Sequence, residues 1–455
     1  VTTTTQTDVK LVAHLMRRAA FGAPTWRLEQ LAERSYEQLV EDLLDIESKP
    51  RLEEDLLERF HSEHADEESY RWTAARWVHR MINSARILEE KVALFWHNRF
   101  ATAASKSNVN VMLRAHLEML RDHGTGNFRT LLQKISRDPA MIWWLDQQTN
   151  HAGSVNENYG RELLELFSMG RGNYTEDDVR AAATAFTGWT LDQSIPRYPN
   201  GWWDFSFIFR EEDHDHGQKT FLGRSGDLNG DDIIDEIVKQ DATAEFVASN
   251  LHRFFISDDP DQVAIDKIAG TYFESDFEIK PMLRAIFNSD EFKESAFKRV
   301  RWPIEHVVNI VKIAGVLTDP YESGIKRAAN ASAMMGQELL NPPTVEGWHT
   351  GFEWIDSSFL IERVNYAAET LGNPDLPGVS KIVDRIARDR TTISPSELVE
   401  ACLYELGCTE LESRSKDILL TELDSENPIV IESDFGERVG QVMELVVASR
   451  EFQLS

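Results

Sequence analysis

Apolar residues recur three and four positions apart along most of this chain, and one short stretch breaks that rhythm. The spacing is that of helices with one buried face. It predicts helices over about 8–21, 27–45 and 51–59, and one or two long helices over 69–104. Another should span 108–122 and stop at Gly124-Thr125-Gly126. A short helix follows over 128–135, and Pro139 opens the next, since proline suits a first helical turn. Ser154 with Glu157, and Thr175 with Asp178, have capping-box spacing; Gly170 and Gly188 would end the two helices they open.

The rhythm changes over 191–226. Phe205, Phe207 and Phe209 alternate, the period of a half-buried strand, and Lys219-Thr220-Phe221-Leu222 follows after a polar turn. Helical spacing then resumes over 232–238, 242–254 and 260–274. Residues 372–396 are richer in proline, glycine and charge and read as a linker. The expected fold is mainly α, a large multi-helix bundle-like domain over residues 1–371. A small β-hairpin or structured-loop insertion lies near 191–226, and a small helical region, 372–455, packs on the main domain.

Composition sets limits on function. The chain has 455 residues, 42% of them apolar, enough for a substantial core and too many for a disordered chain. No run approaches the roughly 18 apolar residues of a membrane span. The net charge of −29 repels phosphate backbones, so nucleic acid is not an expected partner, and anionic membranes and sulfated glycans are disfavoured. Cys402 and Cys408 make neither a disulfide framework nor a zinc site. No basic start leads into an apolar run at the N-terminus, which fits a cytoplasmic protein or an exported one after processing. Nucleotide-binding glycine loops, the Gly-x-Ser-x-Gly elbow and His-Glu-x-x-His are all missing, so nucleotide cofactors and the familiar serine or zinc hydrolase mechanisms get no support, and the cofactor stays open with a divalent metal as the candidate.

Four places carry candidate chemistry. His97 has Ala93, Leu94, Phe100 and Ala101 within one turn, so it sits on an apolar face. It is either a core histidine bonded to a carbonyl or a base or ligand tuned by burial. Asn98 beside it is a candidate substrate contact. In the segment 156–167, Tyr159, Leu163, Leu166 and Phe167 share one face, while Glu157, Arg161 and Glu165 lie opposite. Glu162 falls at the margin, where partial desolvation raises a carboxyl pKa, and is the candidate acid or base. The alternative is a boundary glutamate in an ion pair.

The third place is Glu211-Glu212-Asp213-His214-Asp215-His216-Gly217-Gln218-Lys219. Histidines two apart on extended chain point the same way and can chelate a metal, with Asp213 or Asp215 as oxygen ligand. Lys219 is a lone cation there and a candidate substrate contact. The plain alternative is a polar turn. The fourth is Asn341-Pro342-Pro343-Thr344-Val345-Glu346-Gly347-Trp348-His349, a rigid loop that either displays Trp348 and His349 to a sugar or ring, or plugs the core with the tryptophan. Asp227 to Asp232 resembles a calcium loop but lacks its glycine and final acid, and reads as a turn capping the next helix.

These segments come in a recognisable order: 14–22, 94–102, 156–166, 173–179 with Thr187-Gly188-Trp189, 214–223 and 342–348. The chain resembles the bacterial family catalogued as domain of unknown function 1800, from near residue 11 to the C-terminus. The resemblance implies a mainly helical fold and, for many members, export and a gene neighbour resembling sulfatases. It carries over no catalytic role.

The leading expectation is a hydrolase-type enzyme with Glu162 as acid or base and His97 as its partner. Asp213, His214, Asp215 and His216 would hold metal or substrate, and the three places would converge. Twelve tryptophans, among them Trp143-Trp144 and Trp202-Trp203, suit a carbohydrate, and the acidic surface favours a neutral or cationic one. The alternative is a non-catalytic helical scaffold for a sulfatase-like partner. A di-iron protein is weaker, because its Glu-x-x-His pairs should lie on helices, whereas Glu211 with His214 and Glu346 with His349 read as loops.

Overall fold

Side-chain caps set where many of the helices begin. In a computed structural model describing residues 7–61, 69–107, 110–192, 205–423 and 428–455, Asp8, Ser35, Asn127, Asp138 and Thr175 each accept from an amide of the first helical turn. Asn229, Asp261, Asp356 and Ser394 do the same further on. The first helices are α1 (Val9–Ala19), α2 (Thr25–Ala32), α3 (Tyr36–Leu44), α4 (Asp55–Phe60), α5 (Tyr70–Asn83) and α6 (Ile87–Arg99). Next come α7 (Asn110–His123), α8 (Phe128–Ser136), α9 (Pro139–Trp144), α10 (Asn158–Glu165) and α11 (Glu176–Ala185). Four short strands follow: β1 (Trp189–Leu191), β2 (Phe207–Phe209), β3 (Lys219–Phe221) and β4 (Arg224–Gly226).

Helices α12 (Gly230–Ile237), α13 (Asp241–Phe255), α14 (Gln262–Glu274), α15 (Ile279–Asn288) and α16 (Asp290–Lys293) come next. Then follow α17 (Pro303–Ala314), α18 (Ile325–Met334), α19 (Ser357–Leu371) and α20 (Pro377–Ala387). Strand β5 (Thr392–Ile393) precedes α21 (Pro395–Glu405) and α22 (Ser413–Glu422), and β6 (Ile429–Val430) precedes α23 (Phe435–Val447). The fold is mainly α, 60% helical, and among the described residues there are three sheets of two antiparallel strands each. Among the described residues, no helix is long and apolar enough to cross a membrane.

Three expectations need correction. The helix expected over 27–45 is two, because Ser35 and Gln38 form a capping box that starts α3. Ser154 caps nothing; it bridges to His151, and the Asn156 side chain accepts from Asn158 at the head of α10. The presumed linker holds α20, with Pro377 in its first turn, where the missing N–H costs nothing. Cys402 and Cys408 are free and buried. The Phe207–Phe209 strand forms, with Phe207 opposite Leu191 and Phe209 opposite Trp189. Trp202 and Trp203 lie outside the described residues.

The core has two main parts, and α17 belongs to both. Ile304, Val307, Val308 and Val311 face the larger cluster, which runs from Val12 to Cys408. Ile310, Ile313 and Ala314 face the second, built with α19, α20, α21 and α23. Helix α6 is buried on every face from Ile87 to Asn98, charged residues included. Its Lys91 reaches Glu305 on α17, and Arg299 Nη2 donates to the other oxygen of that carboxylate at 2.5 Å. Burial opposes the charge on Glu305, but Arg299 and Lys91 hold its pKa down at about 2.

Candidate functional site

The hairpin region is built on the end of α11. Gly188 has φ of +79°, and a Cβ there would stand 2.5 Å from the Arg210 carbonyl oxygen, so glycine lets β1 and β2 leave the helix and pair. Arg210 N–H donates to the Gly188 carbonyl at 2.9 Å. The chain then makes one 3-10 turn, Glu211–Asp213, and passes over Thr187. His214 Nδ1 lies 2.9 Å from the Thr187 carbonyl, and Asp215 N–H donates to Thr187 Oγ1 at 2.9 Å. A carbonyl accepts only from a protonated nitrogen, so His214 carries its proton on Nδ1 and its lone pair on Nε2.

Strands β3 and β4 then bring a third ligand type to the same place. Lys219 pairs with Gly226, which returns Asp227 beside the two histidines. His216 Nδ1 is 3.1 Å from Asp227 Oδ2, and His214 Nε2 is 4.0 Å from Asp227 Oδ1. The two imidazoles meet edge to face with centroids 4.9 Å apart. One donor atom from each of His214, His216 and Asp227 fits within 4.8 Å of the others. His214 is buried, whereas the His216 and Asp227 side chains are each 52% exposed, so the cluster is anchored on one side and open to solvent on the other. The Asp227 hydrogen bond raises His216, and His216 and Lys219 together lower Asp227.

The other candidates of this loop are engaged in holding it. Asp213 Oδ2 lies 2.5 Å from His151 Nδ1, and its carbonyl accepts from Ala152 N–H. Asp215 Oδ1 accepts from Gly217 N–H at 2.7 Å. The three donors of Lys219 go to the carbonyls of Asp215 and Gly217 and to Asp227 Oδ1, the last at 3.2 Å. Asp227 is the residue that sequence reasoning missed. The signal for it was the Lys219–Phe221 strand, because a tight hairpin returns the chain to its own start.

His97 and the 341–349 loop meet deep in the core. His97 is fully buried, and its ring stands edge to face with Trp77, His116 and Trp348, at 5.6, 5.7 and 5.2 Å between centroids. Asn98 Oδ1 accepts from Trp348 N–H at 2.7 Å, clamping the loop to α6. Gly347 has φ of +93°, and a Cβ there would collide with Asn98. Trp348 is buried and His349 is exposed, bonded to Glu353. Among the described residues, neither nitrogen of His97 has a hydrogen-bond partner, nor do His116 Nε2, Trp348 Nε1 or Thr102 Oγ1. Burial, with His116 adding to it, pushes His97 well below the usual histidine range. Asp138 accepts from the far side of His116 at 2.8 Å.

Glu162 is half-buried at the edge of the same neighbourhood. Burial raises its pKa, and the carboxylates of Glu165 and Glu346 raise it further. Glu346 belongs to the loop that carries Trp348, so Glu162 feels the charge of the loop whose tryptophan packs against His97. Among the described residues, no hydrogen bond, ion pair or ring contact joins His214, His216 or Asp227 to His97 or Glu162. The expected three-way convergence is not seen in the bonding.

A mainly helical chain with a His–His–Asp cluster on an inserted hairpin is the class that fold and site define. The model of the family described as "Protein of unknown function (DUF1800)" matches residues 14–454, and the chain belongs to that family. No curated protein and no solved structure matches it.

Proposed function

We propose that this chain is a metal-assisted hydrolase whose metal is held by His214 Nε2, His216 Nδ1 and Asp227 Oδ2. The supporting observation is that one donor atom from each of these three residues lies within 4.8 Å of the others. Two imidazoles and one carboxylate suit Zn²⁺, and three protein ligands leave room for water and substrate. A bound divalent metal would supply a water deprotonated near neutral pH. The chain's own residues orient the ligands. Thr187 sets the tautomer of His214, and Lys219 holds Asp227 Oδ1, while Oδ2 and His216 Nδ1, which bond each other at 3.1 Å, would exchange that contact for the metal. The acidic surface supports a neutral or cationic, carbohydrate-like substrate. His97 and Glu162 have no direct bond to this centre and take no part in its ligand set.

Elemental analysis of untagged protein purified without chelator is the test. About one equivalent of one metal is expected, and both the His214→Ala/His216→Ala double variant and Asp227→Ala should bind it more than about 100-fold more weakly. Metal-free wild-type protein, or equal metal in the variants, would overturn the assignment.

The second proposal is a helical scaffold for a sulfatase-like protein. It is favoured by Met334, Phe352 and Ile361, large apolar side chains left 60%, 67% and 58% exposed on α18, the following turn and α19. Co-purification of the two proteins should give a stable complex that Phe352→Asp/Ile361→Asp abolishes. A complex that survives the double variant places the interface elsewhere.

A further inference from the structure

Charge is unbalanced around the start of α17. Arg17, Arg18, Lys91, Arg299, Arg301 and Arg363 are all buried, none more than 8% exposed, in a chain whose net charge is −29. Glu305 is the buried carboxylate among them, and its side chain is taken up by Lys91, Arg299 and the Trp302 amide. Asp258, only half-buried, lies within electrostatic reach of Arg18. Other arginines are partly met by carbonyl oxygens. Arg17 Nη1 donates to Gly407, Arg18 Nη2 to Ile256 and Ser295, and Arg363 Nη2 to Arg301.

Arg301 has none of this. It is 2% exposed, and its Nε, Nη1 and Nη2 lack a hydrogen-bond partner among the described residues. Its guanidinium lies 4.9 Å from the centroid of the Phe452 ring, a contact that offsets only part of the cost of burying a charge. Its charged neighbours also have unused donors: Nε of Arg17, Nε and Nη1 of Arg299, and Nη1 of Arg363. Burial and the charges of Arg17 and Arg363 press Arg301 toward losing its proton. A guanidinium nonetheless stays charged in proteins, so relief has to come from a negative group.

We propose that Arg301, with Arg17, Arg299 and Arg363 around it, binds a small tetrahedral oxyanion, phosphate or sulfate, as a structural ligand enclosed by the fold. Guanidinium forks match the paired oxygens of such an ion, and donors from four arginines suit a group with several oxygens. The site excludes a phosphate polymer, which the acidic surface repels and the burial leaves no room for. Arg17 lies on α1, Arg363 on α19, and Arg299 and Arg301 on the segment whose amide bonds the Gln453 carbonyl. One ion would therefore tie together parts of the chain far apart in sequence. This inference is independent of the hairpin metal centre.

Wild-type protein purified in chloride buffers free of phosphate and sulfate, then heat-unfolded, should release about one oxyanion per chain, read by ion chromatography. Arg301→Met should release none. Refolding in 10 mM-scale inorganic phosphate rather than chloride at equal ionic strength should raise the wild-type Tm by about 3 °C and leave Arg301→Met unchanged. If that variant does not fold, Arg363→Lys, which keeps the charge but loses the fork, should retain less oxyanion than wild type. Wild-type protein that releases no oxyanion and shows no phosphate effect overturns the proposal. So does release of chloride alone, or equal oxyanion from folded Arg301→Met, which would mean an adventitious ion only.

Discussion

Glu305→Gln should lower the stability of the folded chain by about 3–5 kcal/mol. The carboxylate lies between α6 and α17, bonded to Lys91 and Arg299, both buried. Glutamine keeps the volume and removes the charge, so an ammonium and a guanidinium are left in the core facing a neutral amide. The loss comes from those stranded cations, not from missing packing. Adding Lys91→Met should therefore recover part of it, because one cation then leaves with the anion. Urea unfolding of the single and double variants measures both, and a double variant weaker than the single would contradict the account. The same carboxylate makes the protein acid-sensitive. Its folded pKa of about 2 lies below the ordinary 4.5, so its contribution is complete above pH 4.5 and is lost as pH falls toward 2. The wild type should lose about 3 kcal/mol over that window, and Glu305→Gln should lose less.

Trp348→Ala should cost about 3–5 kcal/mol, the range for removing a buried aromatic side chain. The indole is 4% exposed, packs edge to face against His97, and hangs from a backbone amide held by Asn98. Trp348→Phe should recover much of the loss. A tryptophan serving as a sugar platform behaves oppositely: its truncation leaves stability within about 1 kcal/mol, as for surface changes. Thermal unfolding of the two variants separates a core plug from a platform, and an unchanged Tm for Trp348→Ala would exclude the plug.

His97 shows how far helical spacing reaches. Its neighbours three and four residues away correctly put it on an apolar face. The same spacing gave no sign that Glu89, Glu90 and Lys91 of that helix are buried too. Periodicity reports a helix with one wet face, and α6 has none. Glu162 was legible as a margin residue, because a boundary position follows from 100° steps alone. Its neighbour Glu346 was not, since that contact depends on how a distant loop docks. The Thr175 box and the Asn229 cap were readable because each joins residues within three positions. Ser154 misled because its local environment belongs to the bridge with His151.

By itself the sequence determined the mainly helical class, the family, the excess of negative charge, and the break near 191–226 where His214 and His216 stand. Each is a matter of composition, order or spacing within a few residues. The tertiary structure alone decided that Asp227, not Asp213 or Asp215, joins those histidines, that Trp348 is buried against His97, and that six buried cations gather around the Glu305 carboxylate. These depend on strand register and on helices far apart in sequence burying their faces together, and no local pattern encodes which distant charges will meet there.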